Sequence, residues 1–225
     1  MVVRSAVVFA FVLLVVGQTP ENTFGQRGPG RDPGDAELEK APLGANKFEK
    51  NALAVLEDIY QNQQYRNVPQ HDGRLLRILT QSLGAKHVVE LGSSTGYSGI
   101  WFGLALKETG GKLTTYEIDA ERAATARENF KRAGMESLIT LVEGDAHDEV
   151  KKLSGSIDII FLDADKEGYV DYLNKLLPLR CPSGLVVAHN INPRMADPAF
   201  MKAITTNPDL ETIVRGGMSI TLKKK

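Results

Sequence analysis

The stretch Glu90-Leu91-Gly92-Ser93-Ser94-Thr95-Gly96-Tyr97-Ser98 decides the fold. It falls where a short apolar run, His87–Leu91, meets a helical stretch, Tyr97–Thr109. Glycines at such a strand-to-helix turn let the backbone pass close to a ligand. The free N–H groups at the helix start favour a carboxylate or phosphate. The spacing is G-x-x-x-G, not the G-x-G-x-x-G of dinucleotide binders. A tight structural turn would use the same glycines, so the loop gains meaning from its surroundings. Glu117 stands 21 residues after Gly96, at the end of the next apolar run. A carboxylate there can accept both hydroxyls of a ribose. Asp145, after the third run, falls along the same edge, near an adenine.

Working outward, Lys47–Gln63 has apolar residues at helical spacing, and Pro69 opens a second helix that Gly84 stops. Strand-like runs then alternate with helices. The strands are His87–Leu91, Lys112–Ile118, Ile139–Glu143, Ile157–Leu162 and Gly184–Ala188; the helices are Tyr97–Thr109, Ala120–Ala133, Ala146–Leu153, Tyr169–Leu179 and Pro198–Thr205. Continuous apolar strands belong to a sheet covered on both faces. Leu210–Val214 and Met218–Leu222 flank Gly216-Gly217, a tight-hairpin signal. The expected fold is α/β: a doubly wound, mostly parallel, Rossmann-like sheet with N-terminal helices and a C-terminal antiparallel hairpin.

The chain divides into a signal-like segment 1–17, a Gly/Pro-rich linker 18–45 and one domain, 46–225. Ala6 to Val16 is an apolar run of 11 behind Arg4. That suits a secretory h-region and is too short for the ~20 residues of a spanning helix, so no stable membrane span is expected. Residues 17–45 hold 6 Gly and 4 Pro, with a short helix expected at Ala36–Lys40. The remaining 180 residues carry 23 basic against 23 acidic side chains. That balance argues against nucleic acid as a partner. One cysteine, Cys181, excludes an internal disulfide and a multi-cysteine metal site. Asp163, Asp165 and Lys166 follow the fourth strand, and His189 and Asn190 follow the fifth. Both groups should meet at the carboxyl edge, where open α/β sheets bind ligands.

Asn67-Val68, Glu90-Leu91-Gly92 with Gly96-Tyr97-Ser98, Tyr116 to Asp119, Gly144-Asp145-Ala146 and Leu162 to Tyr169 together resemble the cation-dependent O-methyltransferases of catechol and caffeoyl-coenzyme-A type. The resemblance runs from about Lys47 to the C-terminus. It implies S-adenosylmethionine as cofactor and a small phenolic acceptor with adjacent hydroxyls. Glu117 would hold the ribose. Ser98 and the backbone near Val68 would hold the methionine carboxylate. Glu90 and Gly92 would line the methionine, and Asp145-Ala146 would border the adenine. Asn67, Ser93, Thr95, Gly96 and Asp163 complete the cofactor set, and Tyr97 either flanks the cofactor or packs. Asp163 and Lys166 are the implied catalytic residues, Lys166 as general base. Asp163 and Asn190 are implied oxygen ligands of a divalent cation. A homodimer is also implied.

This sequence departs from the family at one point: the family usually has Asp-Asn after the fifth strand, and His189-Asn190 stands here. Imidazole suits transition metals better than Mg²⁺. Three outcomes follow. His189 ligates a metal such as Mn, Co, Fe or Zn; or a metal is held weakly by Asp163, Asn190 and Asp165; or the site is metal-free and His189 acts as a base. Competing functions are a nicotinamide-dependent oxidoreductase and a non-catalytic S-adenosylmethionine-binding module. The N-terminal segment points to export or the periplasm. The cytoplasm is the alternative, because the cofactor is made inside cells.

Overall fold

The structure is a computed structural model that describes residues 39–63 and 65–224. The signal-like segment and most of the linker lie outside them. Residues 39 and 40, the end of the short helix expected there, are not helical.

Helix α1 (Lys47–Asn62) is set by a reciprocal cap: the Asn46 side chain accepts from Glu49 N–H at 2.9 Å, and Glu49 accepts from Ala45 N–H at 2.8 Å. Glu49 also pairs with Arg77 on α2 (Gln70–Leu83), tying the two helices together. Pro69 is the residue just before α2 rather than its first turn, and Gly84 ends the helix at φ +64°.

The alternation then runs β1 (His87–Leu91), α3 (Tyr97–Thr109), β2 (Lys112–Glu117), α4 (Ala120–Arg132), β3 (Ile139–Glu143), the single turn α5 (Ala146–Glu149), β4 (Ile157–Leu162), α6 (Tyr169–Leu176), β5 (Arg180–Ala188), α7 (Pro198–Thr205), β6 (Leu210–Arg215) and β7 (Met218–Lys223). The sheet order is β3-β2-β1-β4-β5-β7-β6. The first five strands are parallel, and β7 pairs antiparallel with both β5 and β6. Gly216 and Gly217 both have positive φ, as a two-residue primed turn requires.

Two expected helices are shorter than their apolar pattern. Val150–Lys152 and Leu177–Leu179 tighten into 3-10 turns, the second containing Pro178. Strand β5 starts earlier than expected. Ile157 pairs with Arg180 and Ile159 with Leu185, so the Pro182-Ser183-Gly184 turn signal is absorbed as an irregularity within the strand.

Alternate strand residues feed two cores. Val88, Ile159, Phe161 and Val187 pack beneath α1 to α4, whereas Leu91, Ile160, Leu162 and Val186 pack beneath α6 and α7. Helix α3 is buried on nearly every side, because α1 and α2 cover the face turned away from the sheet. Its Trp101 lies so close to α2 that a Cβ on Gly73 would stand 2.2 Å from the indole Cδ1. Overpacking of this kind costs about 1–3 kcal/mol. Gly73→Ala should therefore lower the melting temperature by several degrees, ~2–4 °C per kcal/mol, as read by circular dichroism.

Candidate active site

The carboxyl ends of the parallel strands open onto a cleft of about 480 Å³, a size typical of small-molecule sites. The loop between β1 and α3 forms one wall. Gly92 has φ +93°, and a Cβ there would stand 2.7 Å from the Asp163 carbonyl oxygen. Only glycine lets these two loops close on each other. Ser94, at φ +47°, is held by its N–H donating to Glu117 Oε2 at 2.8 Å. Between them Ser93 lines the cleft. It is 1% exposed, and its hydroxyl has no hydrogen-bond partner among the described residues. A buried hydroxyl left unpaired is costly, and a polar ligand in the cleft would relieve that cost.

Glu117 ends β2. Its Oε1 accepts from Asp119 N–H at 3.0 Å and from Arg122 Nε and Nη2 at 3.1 and 2.8 Å. Among the described residues Oε2 accepts from Ser94 N–H alone, which leaves it acceptor capacity.

Glu90 is 0% exposed. It accepts from Ser98 Oγ at 2.5 Å and Thr115 Oγ1 at 2.6 Å. Burial, outweighing these bonds, pushes its carboxyl up to about 7 from 4.5. A raised carboxyl contributes most to stability below its unfolded value and loses that contribution as pH rises through the folded one. Wild type should therefore lose about 3 kcal/mol relative to Glu90→Gln between about pH 4 and pH 8. Denaturant unfolding at stepped pH measures this, and parallel curves would remove Glu90 as the cause.

Of the expected cofactor residues, Asn67, Val68, Gly92, Ser93, Ser98, Glu117, Asp145, Ala146 and Asp163 line the cleft. Four others stand behind its wall. Glu90 is wholly enclosed, Thr95 donates to Asn67 Oδ1 at 2.9 Å, and Gly96 turns at φ +85° against Phe130. Tyr97 is buried, its ring edge-on to Trp101 at 6.4 Å. They shape the loop and do not face the space it encloses. The Ser98 hydroxyl is already committed to Glu90, and the Asp145 side chain caps α5 by accepting from His147 N–H at 2.8 Å.

Asp163 links the cleft to a second cluster. Its Oδ1 accepts from Lys166 Nζ, His189 Nδ1 and Asn190 Nδ2, each at 3.3 Å. Lys166 Nζ also reaches Ala164 O at 3.2 Å and the Tyr169 hydroxyl at 2.6 Å, so its three protons have three acceptors. The other ring nitrogen of His189, Nε2, faces Asp72 Oδ2 at 3.0 Å. His189 is 9% exposed and Asp72 4%. Burial opposes the charged imidazolium, but the two carboxylates outweigh it and push His189 up to about 9. Asn190 turns at φ +60°, a conformation asparagine tolerates better than most residues.

The sequence signals missed three groups here. Asp72 lies in the first turn of α2, and the nearby Asn67-Val68 loop was its only hint. Arg122 lines the cleft beside Glu117. His147 also lines it, stacked on Tyr172 at 4.2 Å. Asp171 beside Nδ1, with Asp165 at Nε2, holds His147 above its usual value against a smaller effect of burial.

The donor set does not fit a divalent cation. Both nitrogens of His189 point at carboxylate oxygens, so neither offers a lone pair. Asn190 turns its N–H₂ toward Asp163. Among the described residues, no group of three or more His, Cys, Asp or Glu is placed to hold a metal.

A helix-flanked, mostly parallel sheet with a polar cleft at its carboxyl edge is the arrangement in which open α/β proteins bind ligands. The family profile described as O-methyltransferase matches residues 44–193, and the chain belongs to that family. A catechol O-methyltransferase of Niastella koreensis is 40% identical over 129 residues, 56% of this chain and 58% of that protein. One of Mycobacterium tuberculosis is 32% identical over 125 residues, 55% of this chain and 56% of that protein. The chain thus spans under two thirds of the length of these relatives. A solved Klebsiella pneumoniae structure assigned as an O-methyltransferase has a TM-score of 0.71 at 29% identity, covering 85% of this chain and 96% of that one. A Bacillus cereus O-methyltransferase solved with SAH has a TM-score of 0.69 at 24% identity, over 84% and 96% of the two chains. At that identity it speaks for the fold.

Proposed function

We propose that the chain transfers a methyl group from S-adenosylmethionine to a hydroxyl of a small aromatic acceptor that carries two adjacent hydroxyls. One observation carries this reading: Asp163 both lines the cleft and anchors the His189, Asn190 and Lys166 cluster. A methyl donor held in the cleft would therefore lie beside groups able to orient a hydroxyl and take its proton. When bound, S-adenosylmethionine supplies a methyl group on a positively charged sulfur.

The protein's part is positioning. Glu117 Oε2 is suited to ribose hydroxyls, and the unpartnered Ser93 hydroxyl to the methionine carboxylate. Asp145-Ala146 and the His147–Tyr172 stack border the adenine end. Lys166, with its protons already engaged, acts as a fixed positive charge near the acceptor oxygen. The names of the Niastella and Mycobacterium relatives support a catechol-type acceptor.

Calorimetry with S-adenosylmethionine and with NAD, followed by methyl transfer to catechol, tests the reading. Binding of S-adenosylmethionine with turnover is expected. NAD binding in its place would favour an oxidoreductase, and cofactor binding without turnover on any phenol would favour a binding module. Export and a homodimer are proposed as well. The first rests on residues 1–17, and mass spectrometry of the native N-terminus tests it. The second rests on the resemblance, and light scattering tests it. No helix among the described residues is long and apolar enough to cross a membrane.

A further inference from the structure

We propose that this site transfers its methyl group without a divalent cation, because both ring nitrogens of His189 and Oδ1 of Asp163 are taken up in a closed cluster with Asp72, Lys166 and Asn190. The proposal rests on the methyltransferase reading above and concerns how the same site handles charge.

The cluster's composition comes first. Asp72 from α2 and Asp163 after β4 flank the His189 ring, and Lys166 meets the same Asp163 oxygen as the ring does. A cation at Asp163 would have to displace these partners or crowd against the Lys166 ammonium, which is expensive in a buried site. His71 lies 3.4 Å from Asp72 Oδ1, and the Tyr169 hydroxyl bridges Lys166, Leu162 O and His189 O. Glu90, buried in β1, would only be driven further toward its neutral form by Asp163.

Geometry comes second. A metal-bound histidine needs one nitrogen for the metal and uses the other for its supporting hydrogen bond. Here both nitrogens face carboxylates, at 3.0 and 3.3 Å. Asp72 is not part of the cleft wall, so it acts through His189: it is a positioning residue that fixes the ring. All three donors to Asp163 meet Oδ1, and Oδ2 takes none of them. That oxygen is left for the acceptor. The acceptor O–H bond breaks and its proton passes to Oδ2. The acceptor oxygen forms the bond to the methyl carbon as the carbon–sulfur bond opens, its electron pair remaining on sulfur. The sulfonium becomes a neutral thioether, and the proton leaves Asp163 for solvent. Lys166 stabilises the negative oxygen throughout, as preorganised charges do elsewhere.

The test compares the full chain, stripped with chelator and desalted, with His189→Asp. Mn²⁺ alone, followed by electron paramagnetic resonance, should bind His189→Asp at least about tenfold more tightly than wild type. Wild-type methyl transfer to catechol should stay within about twofold in chelator or with added Mg²⁺, Mn²⁺, Co²⁺ or Zn²⁺. A third readout needs no variant: the ring ¹⁵N resonances of His189 should not move when Zn²⁺ is added. Zinc-shifted nitrogens, wild-type Mn²⁺ binding as tight as the variant's, or a tenfold loss in chelator restored by one metal would each overturn the proposal. Calorimetry with S-adenosylmethionine is run alongside. Its failure would remove the methyltransferase reading, while the Mn²⁺ and nitrogen measurements would still decide whether the cluster holds a metal.

Discussion

Replacing Glu117 with alanine should weaken S-adenosylmethionine binding by at least about 100-fold, because two hydrogen bonds to a charged acceptor are each worth about 1.5–3 kcal/mol. The side chain does two jobs at once. It offers Oε2 to the cleft, and it holds the loop by accepting from Ser94 and Asp119 N–H. Its removal also strands Arg122, whose guanidinium pairs with Oε1 at 2.8 Å. Glu117→Gln separates these effects, since the amide keeps one acceptor oxygen and the shape. Calorimetry should rank wild type above Glu117→Gln and Glu117→Gln above Glu117→Ala. An affinity for Glu117→Ala within threefold of wild type would show that the cofactor does not lie against β2.

Gly92→Ala should lower both stability and turnover, and turnover more. The new methyl would sit 2.7 Å from the Asp163 carbonyl oxygen on a backbone at φ +93°. Strain and overpacking together cost about 3 kcal/mol, or a fall in melting temperature on the order of 10 °C. The loop relieves the clash only by pushing Asp163 away. Misplacement of a reacting group by about 1 Å costs on the order of 100-fold in rate. If the melting temperature falls while kcat of the folded fraction is unchanged, Asp163 has not moved, or its position does not matter.

How much of this could be read from the sequence depends on where each residue sits. Where the sheet is covered on both faces, β1, β4 and β5 carry consecutive apolar residues, and β1, β3 and β4 have the boundaries their residues suggest. Glu117, Asp163 and His189 close such runs, and polar residues at the carboxyl ends of parallel strands declare themselves. Asp72 and Arg122 lie in the first turns of α2 and α4, and His147 is the second residue of the single turn α5. A polar residue at the start of a helix looks the same in sequence whether it meets water or a buried imidazole. The Asp72–His189 pair spans 117 positions, and no local pattern encodes it. The commitment of the Ser98 hydroxyl to Glu90 was hidden for a similar reason, since it depends on a carboxylate being sealed in β1 eight residues earlier.

Trp101 is the chain's one tryptophan, and it is seated against Gly73, the residue after Asp72. The only indole chromophore is thus built into the joint that delivers Asp72 to His189. Its emission reports on that joint alone. A red shift would signal α2 lifting from α3 before any catalytic assay is run, and an unchanged spectrum in a slow variant would place the fault on the far side of the imidazole.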